Sequence, residues 1–322
     1  MIGKRKLVLV GTGFVGMSMA YAILSQGAAS GVSELVLIDV LKDKAIGEAM
    51  DLCHGLPCSS SHMEIKAGDY SECEDADIVV ITAGLNQKPG QTRLELAGAN
   101  AKIMKDITMQ VVNSGFKGIF LIASNPVDLM TKVVQEVSKF PTGRVIGSGT
   151  ALDTARLRFM VGEYLNVSNK NVHAYIMGEH GDSSFVPWEH AYVGCKRVID
   201  IFKDAGKDMA DLDKIHIEVR DAAYEIINRK KATYYGIGLG LAKIVKTIMN
   251  DTNEILTVSA YLNGEYGQED IYIGVPAVVN SNGAREILSL ELSPENQEKL
   301  NNSAKILREN MENIRNSLKK DA

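Results

Sequence analysis

The stretch KLVLVGTGFVG, residues 6–16, decides the fold. A short run of Leu and Val leads directly into Gly11, Gly13 and Gly16, and the helical sequence MSMAYAILSQG follows. Glycines in this spacing permit a tight turn, let the backbone approach a pyrophosphate and let the helix pack closely on the strand, while the helix N-terminus supplies partial positive charge. The stretch therefore predicts a strand, a phosphate-binding turn that includes Phe14 and Val15, and a helix.

The next apolar run, ELVLID, ends in Asp39, about twenty residues beyond the glycines. A carboxylate at this position accepts both ribose hydroxyls of a dinucleotide and repels a 2′-phosphate. The pattern thus predicts NAD rather than NADP, and no later segment suggests a flavin site. The alternative is an ordinary glycine-rich turn at a strand–helix junction, with Asp39 simply solvated.

Short apolar runs alternate with longer amphipathic ones through the first half of the chain. The runs are LVLVG near Leu7, ELVLID near Leu35, DIVVITAG near Ile78, IFLIASN near Phe120 and RVIGSG near Val145. Nearly continuous runs of Val, Ile and Leu are typical of strands covered on both faces. The predicted fold class is therefore α/β, with a doubly wound parallel sheet.

The pattern changes after Thr150, where long helical segments surround only two strand-like runs, ILTVSAYL and DIYIGVPAVV. We therefore predict a dinucleotide-binding domain over residues 1–149 and a second, α+β domain over residues 150–322. Near the C-terminus, apolar residues at alternating steps of four and three predict an amphipathic helix docked on the body: Leu300, Ala304, Leu307, Met311, Ile314 and Leu318.

Composition excludes several functional classes. A formal net charge of −5, with no block of Lys or Arg, argues against nucleic acid or an anionic membrane as a partner. The apolar run near the N-terminus is far too short for export or for spanning a membrane. Four cysteines without a CxxC pair fit a reducing, cytoplasmic compartment. Cys53 and His54, with Cys58, lack a second ligand pair for zinc, so we expect no metal site.

Four further stretches are not explained by packing: NQKPGQTR from Asn86, SNPVD from Ser124, ALDTARLRF from Ala151 and MGEHGDS from Met177. Together with the glycine motif, and in this chain order, they resemble the L-lactate/malate dehydrogenase family. The resemblance implies a Rossmann domain followed by an α+β substrate-binding domain. It also implies hydride transfer between NAD and a small 2-hydroxy acid.

The stretch ALDTARLRF separates two arginines. On a helix, Asp153 and Arg156 lie on the same side, whereas Arg158 lies roughly 200° around the axis from Arg156. The resemblance implies that Asp153 holds the acid–base residue His180 in one tautomer, and that Arg156 clamps the substrate carboxylate. It further implies that His180 protonates the substrate ketone as hydride arrives. In isolation, Arg156 would be interpreted as a surface ion pair and His180 as a satisfied loop histidine.

Other family positions complete the implied site. Asn125, at the carboxyl end of a strand, would orient the substrate oxygen and the nicotinamide ribose; an Asn-Pro turn is the alternative. Arg93 would stabilise charge on the substrate carbonyl from a closing lid. The resemblance assigns two more residues to the substrate and two to the cofactor: Gln87 and Thr233, and Ala83 and Gly84.

The choice of substrate depends on Gln87. Malate-specific members carry arginine at this position, and neutral Gln87 would leave the second carboxylate of oxaloacetate buried without a counterion. That costs several kcal/mol, or roughly a hundredfold in discrimination. The resemblance therefore implies pyruvate and L-lactate as the substrates, although the adjacent Lys88 could weaken this preference.

His173 and His180 stand seven residues apart in NVHAYIMGEHGDSS. An odd separation along a strand from Val172 to Gly178 sends the two side chains to opposite faces. His173 and Arg158 match the pair that binds fructose 1,6-bisphosphate between subunits in allosteric bacterial members, so the resemblance implies this activator and a homotetramer. The alternative places Arg158 in an interface salt bridge and His173 in a hydrogen bond within its strand.

Two other functions stay open from the sequence: a malate dehydrogenase with an unusual lid, and a catalytically silent NAD-binding protein. The stretch SSFVPWEHA departs from the family pattern, with an effect on either the subunit contact or the back wall of the pocket. A complete set of acid–base and substrate-binding residues argues against the silent protein: Arg93, Asn125, Asp153, Arg156 and His180.

Overall fold

A computed structural model describes residues 5–85 and 93–320, and its central feature is a nine-stranded sheet. The first six strands, all parallel, are β1 (Lys6–Val10), β2 (Glu34–Ile38), β3 (Glu64–Ala67), β4 (Ile78–Ile81), β5 (Ile119–Ile122) and β6 (Val145–Gly147). Their order across the sheet is β3-β2-β1-β4-β5-β6, which reverses direction between β1 and β4. In sheets of this kind, ligands bind at the carboxyl ends of the strands, beside that reversal.

Helices on both faces cover this half of the sheet. They are α1 (Phe14–Gln26), α2 (Lys42–Gly55), α3 (Arg93–Asn113) and α4 (Val127–Ser138). Every residue of β1, β2, β4 and β5 is buried, as the continuous apolar runs predicted, so the doubly wound α/β fold is confirmed. Strand β3 was not predicted, because it lies at the sheet edge and buries only Ile65.

Three antiparallel strands extend the sheet beyond β6. They are β10 (Glu254–Asn263), β11 (Glu269–Asn280) and β12 (Gly283–Ile287), and Ser259 of β10 pairs with Gly147 of β6. Gly149 has a φ of +51°, and a Cβ there would lie 2.2 Å from the amide nitrogen of Ser259. Glycine is thus required where the chain leaves β6 against β10, and the sheet continues across the position of the predicted domain boundary.

The second half adds five helices and a small sheet. The helices are α5 (Ala151–Leu165), α6 (Val198–Asp204), α7 (Met209–Lys230), α8 (Tyr235–Met249) and α9 (Pro294–Lys320). The small antiparallel sheet joins β7 (Val172–His173), β8 (Tyr192–Val193) and β9 (Lys196–Arg197).

The strand predicted from Val172 to Gly178 was wrong in extent, because β7 has only two residues. Beyond it, the amide of Ile176 donates to the Thr154 hydroxyl at 2.9 Å, and Gly178 exchanges two backbone hydrogen bonds with Gly274 of β11. The backbone hydrogen bonds of this segment are therefore made with a side chain and with the distant strand β11, rather than with a neighbouring strand along its whole length.

The core joins the two halves of the chain. Its main cluster runs from Leu7 in β1 to Ile314 in α9, and a smaller cluster extends from Leu157 to Val219. The apolar stripe of α9 is buried from Leu300 to Ile314, which confirms the docked C-terminal helix. Within residues 5–85 and 93–320, no helix is long and apolar enough to cross a membrane.

Candidate active site

The glycine turn after β1 has three distinct environments. Gly11 has a φ of +103°, and a Cβ there would lie 2.7 Å from the amide nitrogen of Ala83. A Cβ on Gly16 would lie 2.2 Å from the carbonyl oxygen of Gly11, whereas a Cβ on Gly13 would meet nothing within 4 Å. Gly11 and Gly16 therefore permit close packing, and Gly13 exposes backbone at the N-terminus of α1, where a pyrophosphate would approach.

Asp39 lies at the end of β2, fixed by three hydrogen bonds. Its carboxylate accepts from the amide of Thr12 at 2.7 Å, from the Thr12 hydroxyl at 2.8 Å and from the amide of Leu41 at 3.0 Å. Burial raises the pKa of Asp39, but these hydrogen bonds outweigh it and hold the pKa below its ordinary value. The ionised carboxylate suits ribose hydroxyls and opposes a 2′-phosphate, so the turn fits NAD.

A hydrogen-bonded triad joins α5 to the loop after β7. Asp153, in the first turn of α5, accepts from Nδ1 of His180 at 2.6 Å through one oxygen and from Arg156 at 3.1 Å through the other. The side chains of Asp153 and Arg156 are each 13% exposed, and that of His180 is 31% exposed. The bond at Nδ1 leaves Nε2 of His180 to face a substrate.

The triad sets the charge of its members. Burial lowers the pKa of His180, but the attraction and hydrogen bond of Asp153, with a further contribution from Asp128, outweigh it and raise the pKa above its ordinary value. Burial raises the pKa of Asp153, but His180 and Arg156 outweigh it and hold this pKa below its usual range. The arrangement stabilises an imidazolium beside a carboxylate, which is the state that a proton donor needs.

Arg156 keeps hydrogen-bond donors that suit an anion. One of its five N–H donors is directed to Asp153 at 3.1 Å, and the planar guanidinium keeps capacity for a bidentate bond to a carboxylate. Its low exposure means that water screens such a bond weakly.

Asn125 stands after β5, before a cis peptide bond to Pro126. Its carbonyl accepts from the side chain of Asn100 at 2.8 Å, and the oxygen of that same side chain accepts from the amide of Leu85 at 2.8 Å. The buried Asn100 thus ties the loop after β4 to the loop after β5. Sequence reasoning missed Asn100, because a polar residue inside α3 gives no sign of contacts with two distant loops.

The lid residues lie mostly outside the described part of the chain. Gln87 falls outside residues 5–85 and 93–320, and so does Lys88. Arg93 is the first residue of α3, and its side chain is also outside what the structure describes. The two residues assigned to the cofactor after β4 lie within the described chain. Ala83 packs against Gly11 and its carbonyl accepts a hydrogen bond from the Ser124 hydroxyl, and Gly84 faces the side chain of Asn100.

Thr233 is partly buried and lies in the connection between α7 and α8. The next residue, Tyr234, stacks on Phe14 with ring centroids 5.1 Å apart. Phe14 belongs to the glycine turn and is 72% exposed. This contact brings the connection that carries Thr233 next to the cofactor turn.

Asp128 is a second residue that sequence reasoning missed. This carboxylate, in the first turn of α4, is 3% exposed and accepts from the backbone amide of His180 at 2.9 Å and from the Ser259 hydroxyl. Burial raises its pKa to about 6, although hydrogen bonds from Ser259 and His180 lower it. The available signal was its place in SNPVD, three residues after Asn125.

Arg158 and His173 lie away from this triad. Nε of Arg158 donates to the carbonyl of Ala174 at 3.0 Å, and its guanidinium lies 5.2 Å from the ring centre of Tyr175. His173, on β7, is exposed, whereas Ala174 is buried. Arg158 therefore reaches the segment that carries His173, while Arg156 turns to the triad, as the helical spacing predicted.

The stretch SSFVPWEHA packs against other parts of the same chain. Ser183 donates to the Glu179 carboxylate at 2.6 Å, and Trp188 is buried at 4% exposure. Glu189 accepts from the Asn296 side chain at 2.8 and 2.9 Å, at the start of α9. Among the described residues there is no group of three or more His, Cys, Asp or Glu placed to hold a metal ion.

A glycine turn suited to a nucleotide, a histidine paired with a carboxylate and a largely buried arginine are together the equipment of a nicotinamide-dependent dehydrogenase. A model of the lactate/malate dehydrogenase NAD-binding domain matches residues 5–147, and a model of the alpha/beta C-terminal domain of the same proteins matches residues 150–318. The chain therefore belongs to the lactate/malate dehydrogenase family of oxidoreductases, and its cofactor is NAD.

Individual relatives agree with this assignment. The L-lactate dehydrogenase 1 of Bacillus cereus (strain ATCC 10987 / NRS 248) is 54% identical over 310 residues, which cover 96% of this chain and 98% of that protein. A lactate dehydrogenase from a Medee basin deep-sea metagenome library superposes with a TM-score of 0.93 at 52% identity, over 97% of this chain and 99% of the other. The minor L-lactate dehydrogenase of Enterococcus mundtii, in its ligands-bound form, gives 0.93 at 49% identity, over 96% and 98%.

Proposed function

We propose that the protein is an L-lactate dehydrogenase, which reduces pyruvate to L-lactate reversibly with NADH. The observation that carries this proposal is the triad, in which the Asp153 carboxylate accepts from His180 at 2.6 Å and from Arg156 at 3.1 Å. The relatives named L-lactate dehydrogenase, at about half identity over nearly the whole chain, support it.

The chain's own residues perform four tasks in this reaction. Arg156 binds the pyruvate carboxylate, and the Asn125 amide orients the ketone oxygen. NADH, held at the glycine turn and Asp39, would supply the hydride for the ketone carbon. His180 donates the proton at Nε2 to the ketone oxygen, while Asp153 stabilises the imidazolium before transfer and holds the tautomer afterwards.

The pH dependence of the two directions tests the role of His180. The raised pKa of His180 means that the proton is present below that pKa and is lost as the pH rises through it. Pyruvate reduction should therefore decline, and lactate oxidation should increase, across the same pH interval. Parallel profiles for the two directions would contradict the assignment.

By resemblance to the family, selectivity for pyruvate rests on Gln87, with Thr233 as a small residue of the pocket wall, while Arg93 stabilises charge on the substrate carbonyl. NADH oxidation by the purified protein should be at least roughly a hundredfold more efficient with pyruvate than with oxaloacetate, because a second buried carboxylate would have no counterion beside a neutral glutamine. Faster turnover of oxaloacetate would favour malate as the product and would point to Lys88 as the counterion. Absence of turnover with either 2-oxo acid would sink the proposal.

We further propose a homotetramer, active in the cytoplasm, that fructose 1,6-bisphosphate activates at a site formed by Arg158 and His173. In support, Arg158 reaches the carbonyl next to the exposed His173, on the side of α5 away from the triad. Arg158→Gln with His173→Ala should abolish the response of pyruvate turnover to the bisphosphate and leave the basal rate intact. A response equal to that of the parent protein would reject this site.

A further inference from the structure

We propose that Asp128 is a positioning residue that fixes the loop carrying His180 to the segment carrying Asn125, so that both side chains meet the same substrate oxygen. The inference rests on the proposed pyruvate reduction. It concerns how the two loops are aligned, because the Asp128 carboxylate accepts from the His180 backbone and from Ser259 rather than from Arg156 or the glycine turn.

Asp128 holds three elements together. One carboxylate oxygen accepts from the backbone amide of His180 at 2.9 Å, and the other accepts from Ser259 in β10. The Asp128 backbone belongs to the first turn of α4, which follows Asn125 and Pro126 directly and is closed by a hydrogen bond from Met130 to the Pro126 carbonyl at 2.9 Å. The short path from Asn125 to Asp128 therefore transmits the position of one loop to the other.

The bond to His180 acts on the backbone rather than on the imidazole. Asp153 already orients the ring through Nδ1, but an oriented ring still needs its Cα in the correct place. The two residues before His180 have other partners, because Gly178 exchanges backbone hydrogen bonds with Gly274 and the Glu179 amide donates to Ser303 at 2.6 Å. At His180 itself, it is the Asp128 carboxylate that accepts from the backbone amide. A misplacement of about 1 Å at a reacting group costs about a hundredfold in rate, so an external anchor on this loop has a measurable consequence.

Burial makes Asp128 a strong anchor. At 3% exposure, both hydrogen bonds are shielded from bulk water, so removal of the carboxylate takes away the acceptor that holds the His180 amide in place. The charged groups that face the His180 imidazole are Asp153 and Arg156 from α5 and Asp128 from α4. Glu179, from the loop itself, faces the Asp128 carboxylate and is the fourth charged group of this cluster. Three of the four are acidic, so loss of the Asp128 charge reduces the support for a protonated His180.

Two substitutions separate geometry from charge. Asp128→Ala removes both acceptors, and we expect kcat for pyruvate to fall about 10- to 100-fold with NADH affinity unchanged. Asp128→Asn offers its oxygen to the His180 amide and its NH2 to the Ser259 hydroxyl, which can reverse to accept. We expect kcat of the asparagine variant within about threefold of the parent protein at low pH, with the alkaline decline of pyruvate reduction moved to lower pH.

Thr131→Val is the matched control on α4. It removes a buried hydroxyl that donates to the Val127 carbonyl at 2.7 Å and leaves the hydrogen bonds of the Asp128 carboxylate to the His180 amide and Ser259 in place, so it should reduce stability without changing kcat. Hydrogen exchange of the peptide over residues 177–185 adds a measurement that needs no turnover. The His180 amide should exchange faster in Asp128→Ala and at the parent rate in Asp128→Asn and Thr131→Val.

The outcomes are decisive in either direction. A folded Asp128→Ala protein with the kcat of the parent, or with unchanged exchange over residues 177–185, would overturn the proposal. If the alanine variant does not fold, hydrogen exchange of the parent protein still tests the anchor, and a His180 amide that exchanges as fast as an unprotected amide would overturn the proposal. If the parent protein turns over no 2-oxo acid, the proposed function fails, whereas the exchange of the His180 amide still decides whether Asp128 anchors the loop.

Discussion

The Asp153 carboxylate accepts hydrogen bonds from two cationic side chains, and the variant Asp153→Asn tests how much these two bonds contribute to catalysis. His180 donates to one oxygen and Arg156 to the other, at 2.6 and 3.1 Å. Asparagine has one oxygen and one NH2 group, so one of the two donors must then face another donor. The variant therefore loses at least one hydrogen bond to a charged group, worth roughly 1.5–3 kcal/mol.

The expected kinetic effect follows from that loss. At about 1.4 kcal/mol per factor of ten, kcat for pyruvate should fall roughly 10- to 100-fold, and further if the ring adopts the wrong tautomer. Asp153 is also the largest contribution that raises the pKa of His180, so the pKa should fall in the variant. Pyruvate reduction needs the protonated imidazole, so the decline of its rate at alkaline pH should begin at lower pH in the variant. Stopped-flow measurement of NADH oxidation across the pH range tests this.

Asp200→Asn is the control for the chemical change itself. Asp200 pairs with Arg197 at 2.8 and 2.9 Å on an exposed part of the chain, and removal of its charge should leave kcat unaltered. Equal kcat values and superimposable pH profiles for Asp153→Asn and the parent protein would refute the role assigned to the Asp153–His180 pair.

Two further predictions concern positions around the cofactor and the loops. Gly13→Ala should have the melting temperature of the parent protein but bind NADH roughly tenfold more weakly or worse. Gly16→Ala should also melt at a lower temperature, because its Cβ would lie 2.2 Å from a backbone oxygen. Equal melting temperatures for the two variants, measured by calorimetry, would contradict this. Asn100→Ala removes the hydrogen bond to the Asn125 carbonyl and should lower kcat/KM for pyruvate by roughly tenfold or more. Fluorescence titration with NADH shows whether the cofactor still binds. An unchanged kcat/KM would show that this hydrogen bond does not matter for catalysis.

The parts of the fold that depend on continuous apolar runs could be predicted from sequence. Strands β1, β2, β4 and β5 bury every residue, so their composition alone indicates two covered faces. Strand β3, with the sequence EIKA, buries one side chain at a sheet edge and gives no such signal. Strand β7 ends after His173 because Thr154, remote in sequence, supplies the hydrogen bond that a strand partner would have supplied.

The site divides in the same way. The triad members Asp153 and Arg156 share a helical face, so their proximity follows from a spacing of three, and the motif around His180 supplied the rest by resemblance. Asn100 and Asp128 contact groups 25 and 52 residues away, respectively. No local pattern encodes such distances, because the folded backbone, rather than the spacing in the chain, brings these partners together.

The antiparallel pairing of β10 with β6 has a consequence for how the molecule unfolds. The family match changes from one domain to the next between residues 147 and 150, yet the hydrogen-bonded sheet and the main apolar cluster both run through that point. The two family domains therefore form one cooperative folding unit, because unfolding of either domain removes strand pairs and core contacts from the other. Within the described residues, the sheet runs from one domain to the other without a break, so the strands that carry the site do not form two separately movable lobes.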